Sequence, residues 1–327
     1  METAESDELF DCGTRGAGAL PSGRGEKGIQ ADAAGLSGVC RVVALLLTAI
    51  SGAGQVLAAE PDAIARGEYL AAAAGCDTCH TDSEHGGAPY AGGRRLATAY
   101  GTVTTPNITP DRATGIGKWT RADFARALRS GVAPDDSHYL PVFPFAYYNR
   151  LSDRDLSDLK ALLGSVPAVA RPDLAPTAGP AVIERARAAL AGAATPPGGR
   201  WQPDPARDAA WNRGAYLVAT IGRCGECHTP RTALGAPDPG RFLAGTPAGG
   251  GVKKTPNITP DQETGIGKWS EDEIVTLLKE GQTPEFDFVG GSMAEIVKNT
   301  ARLSNDDRRA IAIYLRNLPA KSFPGGS

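Results

Sequence analysis

The sequence predicts an all-α protein built as two tandem halves, and three observations predict it. A Cys-x-x-Cys-His pentapeptide occurs twice, as Cys76-Asp77-Thr78-Cys79-His80 and as Cys224-Gly225-Glu226-Cys227-His228. A longer stretch also recurs, with 13 of the 16 positions in 105–120 matching 255–270. Helix start and stop signals accompany each copy, and no convincing strand run interrupts them.

The elements follow in order. Residues 1–38 are Gly-rich, polar and aperiodic, and read as a doubtful or disordered extension. Residues 39–59 read as a signal peptide. Arg41 precedes the apolar run Val42–Ile50, and Val56-Leu57-Ala58 or Leu57-Ala58-Ala59 offers a small-residue cleavage site. The run is too short for a membrane span. Export to the periplasm is expected, in soluble or peripherally membrane-associated form. The first half covers 60–167 and the second 206–320. A Pro/Ala-rich linker, 168–205, joins them and includes a short helix over 181–192; a tail, 321–327, closes the chain.

Each half reads as helix, motif, loop, helix, loop, helix. Arg66-Gly67-Glu68-Tyr69-Leu70 mirrors Arg213-Gly214-Ala215-Tyr216-Leu217 ahead of the two motifs. After Trp119 and Trp269 come capping signatures, Thr120 with Asp123 and Ser270 with Glu273. Gly131 and Gly281 then stop those helices. The last helix of each half starts after Leu151-Ser152 or Leu303-Ser304 and stops before Pro167 or Pro319.

The pentapeptide attaches c-type haem. Its two thiols bond one porphyrin and the adjacent His ligates the iron. A zinc half-site or a redox pair also uses Cys-x-x-Cys, but zinc needs a second ligand pair nearby. The next one lies 145 residues beyond Cys79. Two haem c groups are therefore expected. Cys76, Cys79, Cys224 and Cys227 form the covalent attachments, and His80 and His228 are the proximal iron ligands. The remaining cysteines, Cys12 and Cys40, imply no disulfide framework. A net charge of −3 gives no strong field to attract nucleic acid. No Ser-His-Asp set, phosphate loop or pair of catalytic carboxylates is visible.

Low-spin haem takes a second axial ligand, usually Met or His. The chain has only Met1 and Met293. Met293, in Gly290-Gly291-Ser292-Met293, is expected in a loop between the second and third helices of its half, as distal ligand of haem 2. The first half has no Met. Its equivalent loop holds His138, the expected distal ligand of haem 1. The alternatives there are an open or water-bound iron, and His85 or another group.

These residues resemble the multi-haem cytochrome c subunits of periplasmic dehydrogenases. That family includes the cytochrome subunits of alcohol, gluconate and sorbitol dehydrogenases, and the cytochromes that accompany molybdenum-containing aldehyde oxidoreductases. The resemblance covers about 61–319. It rests on the paired motifs, the Pro-Asn-Ile-Thr-Pro-Asp…Gly-Ile-Gly-x-Trp segments, Ser-Met-Ala-Glu-Ile-Val around Met293, and Tyr-Leu-Pro-Val-Phe-Pro-Phe. It implies a class I cytochrome c domain in each half. It points to an electron-transfer subunit more than to a catalyst. Electrons would come from a partner dehydrogenase and leave to a quinone, a cytochrome or an oxidase. With His138 on its iron, haem 1 would be the low-potential entry and haem 2 the exit.

The resemblance also implies that the Pro carbonyl of each Thr-Pro-Asn segment fixes the proximal His tautomer. Asn107, Asn257, Trp119 and Trp269 would contact haem propionates. Three departures stand out. Relatives often carry three haems, and many end in a membrane-binding helix. The family loop commonly reads Tyr-Pro-Ala-Met-Pro-Tyr, where this chain has Phe143 in place of the Met. The rival expectation is a haem enzyme, of peroxidase or thiosulfate-oxidising type, with an open haem 1.

Overall fold

A computed structural model describes residues 61–98, 101–140, 142–173, 199–232, 236–248 and 254–324. The expected extension, the signal peptide and the helix at 181–192 lie outside the described residues. No helix among the described residues is long and apolar enough to cross a membrane.

The chain is mostly helical. Helix α1 (Pro61–Ala74) turns Leu70, Ala71 and Ala74 into the core. A one-turn helix, α2 (Cys76–His80), follows directly. Next come α3 (Arg121–Ser130), α4 (Phe145–Tyr148) and α5 (Asp153–Ser165). In the second half α6 (Ala209–Tyr216) runs on through a wider π-helical turn at Leu217–Ile221, ahead of α7 (Gly225–His228). The half closes with α8 (Glu271–Glu280), α9 (Gly291–Thr300) and α10 (Asn305–Arg316). The first half also holds an antiparallel hairpin, β1 (Arg95–Thr98) and β2 (Gly101–Thr104), with Leu96 opposite Val103. The expectation of helices alone missed it. Four-residue strands, Arg-Leu-Ala-Thr and Gly-Thr-Val-Thr, with one large apolar residue each, carry almost no period-2 hydrophobic signal.

The helix ends are built as their sequences dictate. The Thr120 hydroxyl accepts from Asp123 N–H at 3.1 Å, and the Asp123 carboxylate accepts from Thr120 N–H at 2.9 Å. Ser270 and Glu273 repeat this box at 3.2 and 2.7 Å. Such a cap stabilises a helix by about 1 kcal/mol.

The first and last helices of each half cross tightly, α1 on α5 and α6 on α10. A Cβ on Gly67 would stand 2.1 Å from the Asp158 carbonyl oxygen, and one on Gly214 only 1.9 Å from that of Ala310. Only hydrogen fits there. A bidentate ion pair flanks each crossing. Arg66 grips Asp158 at 2.8 and 3.1 Å, and Arg213 grips Asp307 at 2.8 and 2.7 Å.

The halves share one contiguous apolar core, in which Leu70, Leu151 and Leu159 join Leu217, Ile221 and Ile311. Polar ties between them are reciprocal. Tyr69 of α1 donates to Asp307 at 2.7 Å and accepts from Ser304 N–H at 2.9 Å, at the start of α10. Tyr216 of α6 donates to Asp155 and accepts from Ser152 N–H at 3.2 Å, at the start of α5.

Candidate haem-binding site

Each motif is a single helical turn, which explains its spacing. Positions i, i+3 and i+4 share one helix face, so Cys76, Cys79 and His80 project together from α2. Cys224, Cys227 and His228 do so from α7. The turn must start sharply after the preceding helix. Gly75 supplies this with φ 65°, and Arg223 takes the same left-handed conformation with φ 44°.

The two histidines are oriented alike. His80 Nδ1 lies 2.8 Å from the Pro106 carbonyl oxygen, and His228 Nδ1 lies 2.8 Å from that of Pro256. A carbonyl only accepts, so Nδ1 carries the hydrogen and Nε2 keeps its lone pair for a metal. Burial pushes both imidazole pKa values below the ordinary 6.5, which keeps the rings neutral. Burial likewise pushes the Cys76 and Cys224 thiols up to about 12. Protein surrounds both histidines, yet each residue keeps some accessible surface.

A knotted loop holds each proline carbonyl. Asn107 Oδ1 accepts from Thr109 N–H and Oγ1 at 2.9 and 2.7 Å, while its Nδ2 donates to Val169 O at 2.7 Å and Thr114 Oγ1 at 3.2 Å. Asn257 repeats these bonds with Thr259, Lys321 O at 2.6 Å and Thr264. Both amide hydrogens are thus engaged within the protein. Asn107 and Asn257 brace the loop behind the histidine. Trp119 and Trp269 are half-buried at the edge of the core, their main-chain N–H groups on Ile116 O and Ile266 O at 3.0 Å.

The brace reaches into segments expected to be linker and tail. Val169 O and Asp173 accept from Asn107, and Arg171 N–H donates to Thr114. In the second half Lys321 and Phe323 do this work. The repeat of Pro167-Ala168 as Pro319-Ala320 was the available signal.

Met293 is half-buried in the first turn of α9, not in a loop as expected. His138 is exposed and pairs across a single bridge with Val132. His85 is 75% exposed and bonds Asp82 at 2.8 Å, which raises its pKa.

Each motif is covered by the other half. Thr78 Oγ1 donates to Asn299 Oδ1 of α9 at 2.9 Å, Asp77 pairs with Arg302 at 2.7 Å, and Arg94 pairs with Glu295 at 2.8 Å. Reciprocally, the Tyr147 hydroxyl of α4 lies 3.0 Å from where a Cβ on Gly225 would stand. Arg223 donates to Ala74 O at 3.1 Å, linking the approaches to the two motifs. Local sequence patterns carried no sign of these contacts.

These residues fit covalent haem. All four motif cysteines are free thiols, set in i, i+3 pairs on one helix face. The neighbouring histidine presents Nε2 from the same turn.

Comparison with known proteins agrees. The chain is 42% identical over 262 residues to a diheme c-type cytochrome of Cereibacter sphaeroides, covering 78% of this chain and 86% of that protein. It is 37% identical to the fructose dehydrogenase cytochrome subunit of Gluconobacter japonicus, over 80% of this chain and 54% of the subunit. It is 36% identical to the gluconate 2-dehydrogenase cytochrome c subunit of Pantoea cypripedii, over 86% of this chain and 65% of the subunit. The chain thus spans only part of those two subunits. No family model matches it. With motifs, histidine geometry and relatives in agreement, the chain has a cytochrome c fold and belongs to the diheme c-type cytochromes, alongside the cytochrome c subunits of dehydrogenases.

Proposed function

We propose that the chain is a periplasmic electron carrier with two haem c groups, one per half. One is tethered by Cys76 and Cys79 and ligated by His80. The other is tethered by Cys224 and Cys227 and ligated by His228. The observation that carries this reading is the pair of Nδ1–carbonyl bonds at 2.8 Å, which leaves Nε2 available in both halves. When bound, haem supplies a one-electron iron couple whose potential the protein sets.

The chain's own residues do the rest. Pro106 and Pro256 hold the Nδ1 hydrogen and with it the plane of each imidazole. The asparagine-braced loops keep those carbonyls from turning. Met293 would offer a soft thioether to the second haem, which favours a high potential. The donor is a partner dehydrogenase, the setting in which the named relatives act as subunits. The acceptor is a quinone, another cytochrome or an oxidase.

A spectroelectrochemical titration of the matured protein, with its haem count, tests the reading. Two haems per chain and two one-electron steps are expected, without peroxidase or thiosulfate turnover. Sustained turnover of either substrate would replace the carrier with an enzyme. Met293→Ala is expected to lower one midpoint strongly; two unmoved midpoints would remove Met293 as a ligand.

A further inference from the structure

The loops after α3 and α8 have the same fold, bond for bond. Ala133 N–H donates to Ser137 O as Thr283 N–H does to Asp287 O, both at 2.8 Å. Tyr139 N–H reaches Gly131 O at 2.8 Å, and Val289 N–H reaches Gly281 O at 2.9 Å. The single bridges match too, Val132 with His138 and Gln282 with Phe288. Every pair is offset by 150 positions. His138 therefore stands where the second half has Phe288, a side chain 70% exposed. The counterpart of Met293 is Phe143.

Phe143 does not stand alone. Its ring meets Tyr139 edge-on at 5.4 Å and Tyr148 at 6.0 Å. Tyr148 is buried, and its hydroxyl donates to Ala74 O at 3.4 Å, two residues before Cys76. The aromatic cluster thus reaches the segment that leads into Cys76. Phenyl rings offer iron no lone pair. Of the two spare histidines, His138 takes the place of the exposed Phe288 and is itself exposed, and His85 is tied to Asp82 on the proximal segment.

We propose that the first haem has no protein ligand on its distal side. Its sixth position instead takes a small uncharged diatomic ligand of the carbon monoxide class, seated against Phe143. An aromatic wall suits such a ligand, because a charged one would lose hydration without gaining a partner. The proposal rests on the reading of Cys76, Cys79 and His80 as a haem site, which the haem count tests separately.

The test is carbon monoxide titration of the dithionite-reduced two-haem protein, with EPR of its oxidised form. One carbon monoxide per chain is expected, together with one high-spin and one low-spin ferric signal. Phe143→Met should abolish the binding, convert the high-spin signal to low-spin and add a second methionine-type charge-transfer band. His138→Ala should leave binding and EPR unchanged. Two low-spin signals and no binding in the natural protein would overturn the proposal. Binding that appears only in His138→Ala would show that His138 is the ligand. A chain with one haem would instead overturn the attachment reading.

Discussion

Arg223 holds the position before its motif that Gly75 holds before the other, and a left-handed backbone there costs an arginine about 1 kcal/mol. What it gains is placement. Its guanidinium bonds Ala74 O at 3.1 Å, and its charge reaches Cys76, Cys79 and Tyr148. No carboxylate lies within ion-pair distance among the described residues. A cation beside an electron-accepting group favours the reduced form, and water screens a buried cation little. Arg223→Gln should therefore lower the midpoint of the first haem, and that of the second by less. A spectroelectrochemical titration reads both; unmoved midpoints would free Arg223 of any tuning role.

At the scale of elements, the two helix crossings set how much the packing tolerates. Gly214→Ala forces a methyl group against the Ala310 carbonyl, and separating α6 from α10 should cost about 3 kcal/mol. Gly164 gives the opposite result. It sits exposed in α5 with nothing within 4 Å of its Cβ position, so Gly164→Ala should stabilise by about 0.5–1 kcal/mol. Denaturant midpoints decide both; equal effects would mean that the crossing relaxes freely. What the sequence made legible divides along the same line. Motif turns, capping boxes and glycine stops depend on neighbours within a few residues, so their patterns are printed locally. The asparagine brace joins Asn107 to Val169, and Asn257 to Lys321, across more than sixty positions. Neither partner looks unusual alone. Met293 was recognised as a candidate ligand, but its helix was not, because Gly290-Gly291 ahead of it reads as a loop.

For the whole molecule, the reciprocal tyrosine ties make the halves depend on one another. Asp307 is central, bound by Arg213 of its own half and by Tyr69 of the other. Burial raises its pKa, but those hydrogen bonds outweigh it and hold the carboxyl below its ordinary 3.8. A depressed folded value means stability that is fully present above 3.8 and lost as pH falls through the folded pKa. Asp307→Asn should lower stability at neutral pH and flatten the acid limb of the pH–stability curve. An acid limb as steep as that of the natural protein would place the titration elsewhere.

The crossed covering of the motifs also sets an order of events as the chain is made. The cover for Gly225, Tyr147, precedes it by 78 positions and is already synthesised when the second motif appears. Thr78 must wait for Asn299, 221 positions later. The first motif therefore stays open throughout most of synthesis, whereas the second can close almost at birth. If both motifs carry haem as proposed, biogenesis should be asymmetric for a reason that lies in topology alone: the earlier cysteines would have time to receive their porphyrin, and the later ones would have to receive theirs before Tyr147 folds down.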